Sequence, residues 1–177
     1  GFFGAFAWEW CDHAIYKGEE KGRKNYYYGG DHGEYPNDGN FCVDGMVYPD
    51  RTPHTGLKEY KNAIKPIKAR LKDSKIVFEN KYDFIGTDNI AVKYRIYING
   101  IEKGNYSLDL DIEPRGKYII DVPEFKYSKK QDMGVLYTYI VKNDYGLVKS
   151  GHILGYDFIM INKADRPIQS TTAGKLT

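Results

Sequence analysis

Three histidines, His13, His32 and His54, and two cysteines, Cys11 and Cys42, are among the side chains in the first third of the sequence that could ligate a metal or move a proton. The cysteines show no CxxC spacing and no histidine pattern around them, which argues against a zinc site or a redox pair. No disulfide is expected between them. The histidines are read as solvent-facing or hydrogen-bonded structural residues rather than as ligands or acids. Tyrosine accounts for 17 residues and aromatics for 15% of the chain, which suits a β-rich protein. It also suits sugar binding, in which ring faces meet the C–H faces of a pyranose.

The elements that must position these residues begin with Gly1-Phe2-Phe3-Gly4-Ala5-Phe6-Ala7-Trp8, a continuous apolar run of the kind found in a strand buried on both faces. Such a strand belongs to a parallel sheet covered by helices, and no βα unit stands before it, so a piece of something longer is expected. With Glu9 ending it, the run is too short to span a bilayer, and it lacks the basic start and cleavage site of a signal peptide. Lys17 to Asp38 is dense in Gly, Asn, Asp and Tyr and predicts a long loop, a lid or binding loop beyond the C-terminal end of a barrel strand. Thr52-Pro53 predicts a helix start, with Leu57, Tyr60 and Ile64 on one face and Pro66 as the stop. Lys65 to Lys75 is basic, weakly patterned and expected to connect two domains.

From Ile76 the apolar period changes to two. Ile90, Val92, Tyr94, Ile96 and Ile98 alternate with more polar neighbours and lead into the hairpin pair Asn99-Gly100. Leu108, Leu110 and Ile112 continue the pattern, followed by Tyr118, Ile120 and Val122 after the turn Pro114-Arg115-Gly116. Val135, Tyr137, Tyr139 and Val141 and a last run from His152 to Ile161 bring the total to about seven short strands, the spacing of a sandwich. The expected fold class is mainly β: an immunoglobulin-like β-sandwich preceded by the last βα unit and long loop of a (β/α)8 barrel. The expected domains are residues 1–65 for the barrel end, 66–165 for the sandwich and 166–177 for a linker or the start of a next domain. Charged residues are 28% and the net charge +2, scattered without a dense basic face, so neither nucleic acid nor membrane is expected as a partner.

Three segments taken in order, Trp8-Glu9-Trp10-Cys11-Asp12-His13, Tyr28-Gly29-Gly30-Asp31 and Pro36-Asn37-Asp38-Gly39-Asn40-Phe41-Cys42, resemble the family-two glycoside hydrolases of β-galactosidase type. The similarity continues through Asp44-Gly45-Met46-Val47-Tyr48 and Asp50-Arg51-Thr52-Pro53-His54. The resemblance implies that Phe3 to Trp10 is the eighth barrel strand, that Thr52 to Ile64 is the closing helix, and that Trp8 forms an apolar wall against galactose. It implies a sodium ion held partly by the backbone carbonyl of Phe41 and the side chain of Asp44, where the family usually has asparagine. Phe41 itself would lie on the pocket rim. Gly39 stands where an arginine is common. Trp10 and Cys11 are expected to be packing residues.

No catalytic residue is expected in this chain, because the resemblance places both catalytic glutamates and the magnesium ligands on earlier strands. Sodium and magnesium would serve the parent enzyme, sodium alone would be reached through this segment, and no cofactor is expected in the isolated chain. The implied role is part of a retaining β-galactosidase acting on terminal β-D-galactosides such as lactose, with the isolated chain inactive and self-associating, or the parent oligomeric. Free cysteines and the missing signal point to the bacterial cytoplasm. The alternative is a stand-alone carbohydrate-binding or structural module, with Tyr94, Tyr97, Tyr137 and Tyr139 as its platform, although Tyr94, Tyr137 and Tyr139 share parity with core positions.

Overall fold

The computed structural model describes residues 4–165, and the chain divides after Ile64 into two compact units. The expected linker or domain start over residues 166–177 lies outside the described residues.

In the first unit, of the strand expected over Phe3 to Trp10, the described residues 4–10 form no strand and have no ladder partner. A barrel strand takes its backbone hydrogen bonds from the strands on either side, and without them extended chain has nothing to pair with. Phe6 is fully exposed as a result. The expected long loop contains a hairpin of β1 (Ile15–Glu20) and β2 (Arg23–Tyr27). Lys21 and Gly22 form its turn with φ of 50° and 75°, the left-handed pair that matches strand twist. A lysine in place of the usual asparagine hid that turn from sequence inspection. Helix α1 (Thr55–Ala63) is capped by His54 rather than Thr52. Thr52 and Pro53 are drawn into the preceding turn, where the Thr52 carbonyl accepts from the Tyr48 amide and Pro53 bridges Val47. Of the expected helix face, Leu57 is half-buried while Tyr60 and Ile64 are exposed.

The second unit is a sandwich of seven strands: β3 (Ile67–Lys72), β4 (Lys75–Asn80), β5 (Ile90–Ile98), β6 (Ile101–Asp109), β7 (Lys117–Asp121), β8 (Met133–Val141) and β9 (Ile153–Asn162). One sheet has the order β3-β4-β7 and the other β6-β5-β8-β9, all antiparallel. This is an immunoglobulin-like arrangement, in which consecutive strands cross between sheets. The stretch expected to be a connection is instead strand β3, whose Ile67 and Ala69 are buried while Lys68 and Arg70 face out. The short alternation was masked by its basic residues.

The core follows the predicted parity. Ile90, Val92, Ile96 and Ile98 of β5 and Val135, Tyr137, Tyr139 and Val141 of β8 are all buried. They stand opposite one another in register, Val92 with Tyr139 and Ile96 with Val135. Across the sandwich the ring of Phe78 meets that of Tyr137 edge-on at 5.0 Å. The β5–β6 hairpin turns through Asn99 and Gly100, at φ 49° and 79°, as the Asn-Gly pair predicts. Buried Asn80 staples the loops at one end, donating to the carbonyls of Ile85, Ile112 and Glu113 and accepting from the Tyr82 amide.

Candidate functional site

The residues singled out for chemistry lie in the first unit, where a knot of backbone hydrogen bonds ties two segments of chain. The Met46 amide donates to the carbonyls of Glu9 and Trp10 at 2.9 and 3.1 Å, the Val47 amide to Trp10 at 3.0 Å, and the His13 amide to Cys42 at 2.7 Å. The Asp12 amide returns a bond to the Val47 carbonyl at 3.0 Å, and the His54 amide bonds Met46 at 3.0 Å. Val47 is buried at the centre. These bonds set the segment bearing Trp8 beside the turn bearing Phe41 and Asp44.

Trp8 is 80% exposed and Phe41 79% exposed. Phe41 sits in a single 3-10 turn over Gly39–Cys42, and Asp44 is exposed just beyond it. Trp10, expected to pack, is instead 63% exposed. Cys11 and Cys42 are both free and half-buried, with each thiol near a backbone carbonyl. Trp8 and Phe41 thus each present a large ring to solvent, and an exposed ring face is a surface that can cover a sugar's C–H face. The Phe41 carbonyl and the Asp44 carboxylate are oxygen donors, the chemistry a hard cation takes. Two donors do not complete its coordination shell, and no cluster of three or more His, Cys, Asp or Glu suited to a metal occurs among the described residues.

The loop before the 3-10 turn is ordered by its own polar side chains. Glu34 accepts from the amides of Gly30 and His32, and Asp31 from that of Tyr28. The Gly30 amide first, then Glu34's own amide and that of His32, hold the Glu34 carboxyl below the usual glutamate range. The Asn37 carboxamide joins the Glu34 carbonyl to the Gly39 amide. Gly39 has φ of 59°, a conformation natural to glycine, and a Cβ on Gly29 would fall 2.0 Å from the Gly39 carbonyl oxygen.

All three histidines singled out are engaged. His13 pairs with Glu9 at 3.2 Å, the His32 ring packs on Tyr27, and His54 Nε2 lies 2.9 Å from Asp12 Oδ2 while its ring stacks on Tyr48 at 3.8 Å. Asp12 is the residue whose weight sequence inspection missed. It is buried, and its other oxygen accepts from the Gly45 amide at 2.8 Å. The available signal was the pairing of a carboxylate two residues past Trp10 with a glycine that must sit close to another backbone.

Residues 2–69 match the family described as glycosyl hydrolases family 2, TIM barrel domain, and residues 76–161 match the one described as β-galactosidase, domain 4. The chain belongs to the family-two glycosyl hydrolases. Among curated relatives, the β-galactosidase of Actinobacillus pleuropneumoniae is 42% identical over 120 residues, 67% of this chain and 12% of the relative. That of Staphylococcus xylosus is 52% identical over 85 residues, 48% of this chain and 9% of the relative. Within the family, then, the chain corresponds to a β-galactosidase segment that runs from the barrel domain into domain 4, about a tenth of the length of these relatives.

Proposed function

We propose that this segment serves a retaining β-galactosidase acting on terminal β-D-galactosides such as lactose, with Trp8 and Phe41 as pocket wall and the sandwich as a bracing domain. The exposure of both rings on segments joined by the backbone knot carries the proposal. The Phe41 carbonyl and Asp44 would contribute to a sodium site, completed by oxygens from elsewhere in the protein, and magnesium would be held outside this segment. A retaining mechanism needs two carboxyl groups about 5 Å apart across the scissile bond. In this unit Glu9 is paired with His13, and Asp12 is buried against Gly45 and His54. The nucleophile and the acid/base therefore belong to the remainder of the protein, and the isolated chain has no turnover of its own.

Exposed Phe6, Trp8 and Trp10 support self-association of the isolated chain. The free cysteines fit a reducing bacterial cytoplasm. No helix among the described residues is long and apolar enough to cross a membrane. The test is hydrolysis of a chromogenic β-galactoside by the full-length protein with and without Trp8→Ala. Loss of kcat/KM on removing the indole upholds the assignment, and an unchanged value refutes it.

A further inference from the structure

We infer that Asp12 is a positioning residue that fixes the sugar- and cation-facing turn Phe41–Asp44 against the Trp8 segment. This rests on the function proposed above, and it concerns a side chain that touches neither substrate nor ion. The Asp12 side chain is 4% exposed, and a carboxylate so buried is tolerated only when its oxygens are directly bonded. One oxygen takes the Gly45 amide at 2.8 Å, immediately after Asp44, and the other faces His54 Nε2 at 2.9 Å. The two bonds hold both ends of the turn that runs from Gly45 to His54. Glycine is required at the first end, since a Cβ on Gly45 would lie 2.3 Å from the Asp12 amide nitrogen. At the second end Tyr48 stacks on the His54 ring and limits its rotation. Asp12 stands four residues after Trp8 on the same tied segment, so the same carboxylate sets where Asp44 and the Phe41 carbonyl lie relative to the indole.

A purely structural Asp12 would change how much enzyme folds, whereas a positioning Asp12 changes the affinity of the enzyme that does fold. The experiment uses the full-length protein and its Asp12→Ala, Asp12→Asn and His54→Gln variants. Hydrolysis of a nitrophenyl β-galactoside is measured over a range of sodium concentrations, together with amide hydrogen exchange of the peptide spanning 41–47. Asp12→Ala should raise KM and the half-saturating sodium concentration about tenfold, the equivalent of one lost charge-assisted hydrogen bond, with a smaller change in kcat and faster exchange at 41–47. Asp12→Asn keeps an oxygen for the Gly45 amide and should stay near the parent. If Asp12→Ala does not fold, His54→Gln should show the same changes at lower amplitude. Parental KM, sodium dependence and exchange in the folded variants would overturn the inference, as would an Asn variant as impaired as the Ala one. A parent without galactosidase activity would instead refute the proposed function, and faster exchange at 41–47 in Asp12→Ala would still uphold the positioning role.

Discussion

The two units are held together by different physics. Among the described residues of the first, Val47 is the one buried apolar side chain, and order comes from backbone bonds and from polar side chains such as Asp12, Glu34 and Asn37. The second buries Ile67, Ile76, Phe78, Val92, Ile96, Val135, Tyr137 and others in one continuous core. Directed bonds give local precision with little cooperative stability, whereas apolar burial gives stability shared across many contacts. A unit whose large apolar side chains face outward can present them to a ligand or to the rest of a barrel. The sandwich also leaves large apolar side chains exposed, Phe84, Leu147 and Phe158 among them, but it does so around a continuous buried core that the first unit lacks among the described residues.

The largest expected effect lies in the sandwich core. Phe78→Ala should cost about 3–5 kcal/mol in a urea titration followed by circular dichroism, and a loss under 1 kcal/mol would mean that the core is not the packed body described. Next comes the polar clasp between the sheets. Asp157 accepts from the Ala69 amide and the Tyr139 hydroxyl, both at 2.7 Å, and pairs with Lys65 at 3.0 Å. Removing it as Asp157→Ala should cost about 3 kcal/mol, because it strands buried partners.

In the first unit the expected effect is local and pH-dependent. Glu34 has its carboxyl held below the ordinary glutamate value, so its contribution is complete above that ordinary value and is lost as pH falls through the depressed one. Amide protection factors over residues 28–39 should therefore drop in acid while sandwich protection persists. Glu34→Gln should remove the pH dependence of that drop. The smallest effect belongs to Tyr137, whose buried hydroxyl has no hydrogen-bond partner among the described residues and whose ionisation is pushed up by burial. Tyr137→Phe should be neutral or mildly stabilising in the same urea titration, since it deletes an unsatisfied polar atom and keeps the ring.

The same contrast explains what could be read from the sequence. Strands β5 and β8 were legible because their own alternation decides which face is buried, and Asn99-Gly100 declares its turn. Strand β3 was hidden because Lys68, Arg70 and Lys72 outweigh its two buried residues, Ile67 and Ala69. In the first unit the apolar run to Trp8 has the composition of a barrel strand, but strand formation depends on neighbours that the run cannot supply. Trp8, Phe41 and Asp44 were singled out through a resemblance carried by ordered motifs, which specify residues without geometry. The Asp12–Gly45–His54 link was not, because its partners are 33 and 42 residues away and only folding brings them together.

The central claim is that the first unit supplies a sugar-facing wall but no catalytic carboxylates. It is tested most directly by assaying a chromogenic β-galactoside with the 177-residue chain, the full-length protein and its Trp8→Ala variant. The expected result is activity in the full-length protein, reduced kcat/KM in the variant and none in the chain alone. Turnover by the chain alone, especially turnover abolished by Glu9→Gln, would contradict it.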